Sequence, residues 1–100
     1  MKVLISKGYG AGWATWNTLE MAVDEELIAL FEKGCTSEEM EEACTAKGYT
    51  SDTGGSVYMG GFEDLAVVEV PKGTRFTIRE YDGSEFVEIL NRKDWFYADK

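Results

Sequence analysis

Tyr81-Asp82-Gly83-Ser84 places Asp-Gly at the centre of a two-residue turn between two runs of alternating residues, and a turn that short leaves the strand register no freedom. Phe76 then lies opposite Ile89 and Ile78 opposite Val87, so four large apolar side chains share one face of an antiparallel pair. A slip of one residue would expose all four. The other face carries Arg75, Thr77, Arg79, Phe86 and Glu88, with Arg79 across from Phe86 and diagonal to Glu88.

Upstream, Lys2 to Ser6 reads as a strand that Gly8-Tyr9-Gly10-Ala11-Gly12 cannot extend. Asn17 with Glu20 three residues on resembles a capping box. Val23, Leu27, Leu30 and Phe31 then follow at helical spacing to Lys33-Gly34, with a break marked near Asp24. Thr36 and Glu39 open a second, short helix with Met40, Ala43 and Cys44 on one face and Lys47-Gly48 as its stop. After Tyr49 the period changes to two. Ser56 to Met59 and Leu65 to Val70 are strand candidates, Pro71-Lys72-Gly73 is a turn, and Asp94 to Ala98 adds a final strand. Helices followed by strands predict an α+β class, with two short helices packed on a mostly antiparallel sheet in a single domain spanning residues 1–100. The 100 residues are 44% hydrophobic, too apolar for disorder and enough for a core without metal or disulfide staples.

The chain contains no histidine, which removes the usual general base, metal ligand and near-neutral switch, so neither a metal nor a cofactor is expected. Cys35 and Cys44 lack CxxC spacing and read as reduced thiols. With only carboxylates, thiols, tyrosines and lysines available, no acid–base pair can be assigned, and a non-enzymatic role is expected. The first residues hold too short an apolar run for a signal peptide, and no stretch is long enough to span a bilayer, so the expectation is a soluble, cytoplasmic protein without a membrane partner.

Acidic residues number 19 against 10 basic, for a net charge of −9. Nearly all of that excess falls between Glu20 and Glu42, where nine acids face the single base Lys33. Such a surface repels phosphate backbones, so nucleic-acid binding is not expected. It reads either as a docking face for a basic partner, through Glu25, Glu38, Glu39, Glu41 and Glu42, or as an ordinary solvated helix face. The glutamates that open the second helix also complement its dipole.

Residues 7 to 17 combine three glycines, three aromatics and a helix start after a strand. Glycine admits close backbone approach, helix N-termini favour anions, and indole or phenol rings stack on bases and sugars. Both standard nucleotide motifs fail, since Trp13 stands where G-x-G-x-x-G requires glycine and no Gly-Lys-Ser/Thr occurs. The ligand reading assigns stacking to Tyr9, Trp13 and Trp16, polar contacts to the amides of Gly8, Gly10 and Gly12 and to Asn17, and charge recognition to Arg79. The bland alternative makes the indoles core anchors and the glycines turn formers. Gly54-Gly55 and Gly60-Gly61, around Ser56 to Met59, read as tight turns or as a flap beside the first loop.

Residues 8 to 17 (Gly-Tyr-Gly-Ala-Gly-Trp-Ala-Thr-Trp-Asn), Val57 to Phe62, and Val68 to Thr74 running into Ile78 to Glu85 together resemble a group of small bacteriophage and prophage accessory proteins, over nearly the whole chain. The resemblance implies a setting in the host bacterial cytoplasm and action by binding, including roles against host defence. It assigns no catalytic residue. The leading expectation is sequestration of a small nucleotide-like or anionic ligand. The alternatives are an acidic inhibitor or nucleic-acid mimic docking on a basic host protein, and a homo-oligomeric virion or assembly component built on sheet edges and exposed aromatics.

Overall fold

Strand β1 (Lys2–Ser6) is the buried centre of the protein: Val3, Leu4, Ile5 and Ser6 are all shielded from solvent, so both of its faces are covered. The structure is a computed structural model, described over residues 1–90. After β1 come two single 3-10 turns, at Ala14–Trp16 and Leu19–Ala22. Helices α1 (Glu25–Glu32) and α2 (Ser37–Ala46) follow, then strands β2 (Leu65–Glu69), β3 (Phe76–Tyr81) and β4 (Ser84–Ile89). β1 pairs antiparallel with β2, and β3 pairs antiparallel with β4, giving two two-stranded sheets. Leu27 and Ile28 of α1, with Met40 and Cys44 of α2, join Val3 to Ile5 in one hydrophobic core. The chain is an α+β protein. Among the described residues, no helix is long and apolar enough to cross a membrane.

Helix boundaries follow local chemistry. Asp24 caps α1, its carboxylate accepting from the N–H groups of Glu26 at 2.9 Å and Leu27 at 3.2 Å. Thr36 and Glu39 form the expected reciprocal box at α2. Both helices stop on a glycine at positive φ, Gly34 and Gly48, and the N–H of the next residue reaches back to the carbonyl of Leu30 or Cys44. Cys35 and Cys44 are free thiols.

Two expectations are corrected. Asn17 does not open a helix with Glu20. Its side chain is committed elsewhere, donating to the carbonyls of Trp13 and Tyr58 and accepting from the Tyr58 N–H, each within 3 Å. The chain therefore makes a single turn at Leu19–Ala22, burying Met21 and Ala22, and α1 waits for Asp24. Ser56 to Met59 is not a strand, because Asn17 takes both main-chain groups of Tyr58 that a neighbouring strand would have used. The strand expected at Asp94 to Ala98 lies outside the described residues.

The hairpin follows the register that its turn imposes, from Phe76 opposite Ile89 to Tyr81 opposite Ser84. Asp82 and Gly83 take φ of 49° and 85°, the pair of positive values a type I′ turn demands. Phe76, Ile78 and Val87 pack on the core, while Ile89 stays 42% exposed. On the outer face Arg79 reaches Glu88 at 2.8 Å.

Gly83 carries a second constraint, since a Cβ there would stand 2.5 Å from the Ala11 nitrogen. Gly48 has a similar φ with nothing within 4 Å. In urea unfolding, Gly48→Ala should cost about 1 kcal/mol from backbone strain alone. Gly83→Ala should cost about 2 to 3 kcal/mol, the excess reflecting the hairpin forced off the Ala11-Gly12 backbone.

Candidate functional site

The residues on either side of the N-terminal glycine loop do hold an anion, and the anion is the protein's own. Glu85 is opposite Glu80 in the hairpin and on its inner face, 2% exposed. One carboxylate oxygen accepts from the Ser6 N–H at 2.9 Å. The other accepts from the N–H of Trp13 at 2.9 Å, the N–H of Thr15 at 2.8 Å and the Thr15 hydroxyl at 2.6 Å. Ser6 is free to donate because the Lys7 N–H already bonds the Asp64 carbonyl on the β2 side, and successive strand N–H groups point to opposite edges. Glu80 avoids its twin by accepting from the Gly83 N–H at 2.7 Å.

The expected glycine site is thereby closed. Trp13 is fully buried and cannot stack on a ligand; it is a core anchor whose indole N–H finds no partner among the described residues. The Gly10 N–H donates to the Asp82 carbonyl. Gly12 lies under the Trp16 ring and beside Gly61, where added Cβ atoms would overlap the Trp16 ring and the Gly12 carbonyl respectively. Gly8 gives the same clearance to the Asp64 side chain. Glycine here admits side chains and backbone of the protein itself. Asn17 is buried and saturated. Tyr9 is 73% exposed and lines none of the hollows described below. Arg79 is on the outer hairpin face, turned away from the loop and paired with Glu88.

Of the expected ligand residues, Trp16 borders an open hollow. Half-buried, it meets Tyr58 with ring centroids 5.4 Å apart and planes at 43°. The hollow, about 590 Å3, is lined by Trp16, Ser51, Asp52, Thr53, Ser56, Val57, Tyr58, Met59 and Gly60. Its far wall, residues 50 to 60, is stitched to the Trp16 turn. The Asp52 N–H donates to the Trp16 carbonyl at 3.1 Å, and Thr18 exchanges two bonds with the Thr50 main chain. The Trp16 indole N–H points to Glu80 at 3.4 Å. Tyr58 and Asp52 are site residues that sequence reasoning did not single out. The available signal was the pair of glycine doublets flanking Tyr58, one of which lets its ring fold over Gly60.

The acidic residues of the alternative reading divide. Glu39 is consumed by the α2 capping box. Glu38, Glu41 and Glu42 line one shallow depression of about 530 Å3 with Thr45 and Ala46. Glu25 is remote from them, at a hollow shared with Met1, Lys2, Ile28 and Glu32. Between the helices, Lys47 bridges Asp24 at 3.1 Å and Glu26 at 2.9 Å, and the Tyr49 hydroxyl donates to Asp24 at 2.6 Å. Burial pushes the Asp24 carboxyl up, but hydrogen bonds from Tyr49, the Leu27 N–H and Lys47 outweigh it and hold the group below its ordinary value. The Asp24 hydrogen bond pushes the Tyr49 phenol up to about 12. Burial pushes the Cys44 thiol up to about 11 and the Cys35 thiol upward too, which leaves neither as a thiolate nucleophile near neutral pH. Among the described residues, no group of three or more His, Cys, Asp or Glu is arranged to hold a metal ion.

Glu85→Gln keeps the size of the side chain but turns an amide NH2 toward donors. It should destabilise the protein by about 2 to 3 kcal/mol, read as a lowered urea midpoint. Amide exchange at Ser6, Trp13 and Thr15 should accelerate with it. Unchanged protection at those three amides would show that the carboxylate does not organise the loop. The chain matches no family model, no curated protein and no solved structure.

Proposed function

We propose that this protein acts by binding, as a phage-type accessory protein that sequesters a small ligand of the host, and that the ligand seats on Trp16 and Tyr58. The observation that carries this reading is the aromatic-walled hollow of about 590 Å3, a volume suited to a small molecule. The two rings offer adjoining apolar faces, and Asp52, Ser51, Thr53 and Ser56 supply polar groups around them. A nucleobase, a sugar ring or a methyl-bearing group would satisfy the rings; a phosphate would meet no basic side chain among the lining residues. The hollow thus supports the sequestering role while moving it away from the glycine loop and Arg79.

A second reading rests on α2. Glu38, Glu41 and Glu42 fall at i, i+3 and i+4 on one helix face, an arrangement that sets like charges against one another and in which none of the three is ion-paired among the described residues. It suits an inhibitor docking on a basic host protein.

Titration with nucleosides, monosaccharides and alkylammonium compounds, followed by Trp16 fluorescence and indole NMR, tests the first reading. At least one class should perturb Trp16, and Trp16→Ala or Tyr58→Ala should weaken that ligand about tenfold while the protein stays folded. Silence of every class up to millimolar concentration would remove it. For the second, complexes recovered from host lysate should dissolve at high salt and be lost on reversing Glu38, Glu41 and Glu42 to Lys. Salt-resistant binding that survives reversal would exclude α2 as the docking face.

A further inference from the structure

Building on the reading that the Trp16 and Tyr58 hollow is a ligand site, we infer that its ligand is a small organic cation bearing an alkylammonium group. The sign of the site is one-sided. Asp52 is the one charged residue among those lining the hollow, and none of them is basic. The Asp52 side chain is exposed and its carboxylate accepts no hydrogen bond among the described residues, so it is not spent on the fold. Its neighbours Ser51 and Thr53 are hydrogen-bonded to each other at 3.1 Å, which leaves the carboxylate as the strongest polar group offered to a ligand.

The rings reinforce this sign. Each ring carries the negative face of its quadrupole, and a cation is attracted to such a face without having to match its plane. At 43° and 5.4 Å between centroids, Trp16 and Tyr58 touch each other. A flat ligand can stack on one of the rings at a time but cannot slide between them or lie on both. A rounded ammonium head resting across the two rings, with Asp52 at its side, uses everything the hollow supplies. The Glu80 carboxylate at the indole edge adds a further negative group nearby, 3.4 Å from the Trp16 nitrogen. A phosphate would meet the opposite of what it needs.

The test compares choline with 3,3-dimethylbutan-1-ol, which has the same shape without the charge, and adenosine with AMP. The binding readout is the Trp16 indole resonance and its fluorescence. Choline should bind about tenfold tighter than its neutral counterpart. Asp52→Asn, at an exposed carboxylate with no hydrogen bond among the described residues, should leave the urea midpoint in place and weaken choline roughly fivefold without affecting the neutral alcohol. Equal binding of choline and the alcohol, or AMP binding more tightly than adenosine, would overturn the cation assignment while leaving the hollow a ligand site. If none of the four perturbs Trp16 or Tyr58, the cation assignment and this use of the hollow both fall.

Discussion

A buried carboxylate with no cation partner among the described residues organises this protein. Desolvating Glu85 is costly, and the compensation comes from three peptide N–H groups and one hydroxyl gathered from β1 and from the loop that follows it. Peptide groups are fixed dipoles, so an anion recruits them only by holding the backbone still, and the loop between Ser6 and Thr15 is held in this way. The same contact joins the two sheets, which share no strand ladder. It also explains two glycines at once. The turn at Gly83 can drive Glu85 home only if nothing projects toward Ala11, and the far side of the Ala11-Gly12 backbone is sealed by Gly61.

This closure decides where a ligand can go. A glycine-rich stretch between a strand and a helical turn has the composition of an anion site because its amides are free to converge. Here the amides that converge are those flanking the glycines, Ser6, Trp13 and Thr15, and they meet an acid 70 or more residues away in sequence. Trp13 is drawn inward by the same bonding, and Trp16 is left at the rim because its ring lies across Gly12. The open hollow is next to the loop instead of within it. Asn17, having fixed the Tyr58 main chain through two hydrogen bonds, sets the second wall.

What was legible in the sequence divides along contact distance. The hairpin register, the Thr36 and Glu39 box, the glycine stops of both helices and the Arg79 contact with Glu88 depend on residues near one another in sequence, and all appear as read. The false helix start at Asn17 had the right local chemistry, but a remote main chain at Tyr58 competed for the same amide. Glu85 could have been noticed. The register that put Phe76, Ile78 and Val87 inside also puts Glu85 inside, one step from the turn, and an acid on the apolar face of a hairpin must find donors. Which donors it finds depends on how the two sheets approach, which no short-range pattern encodes.

Charge links the two functional proposals without making them one. Most of the net −9 is on α1, α2 and the turn before them, while Asp52 lines the hollow and Glu80 stands at the edge of the Trp16 indole. At physiological ionic strength the field of the helices fades over roughly 8 Å, so it can raise the encounter rate of any cation but cannot choose between cations. Selection within the hollow has to come from shape and short contacts, the two tilted rings and one carboxylate. A docking face on α2 has the reverse character: few apolar contacts, many like charges and a steep loss with salt. Ionic strength therefore separates the two roles on a single molecule, because a partly enclosed cation on aromatic faces keeps much of its attraction where an exposed glutamate cluster loses most of its own.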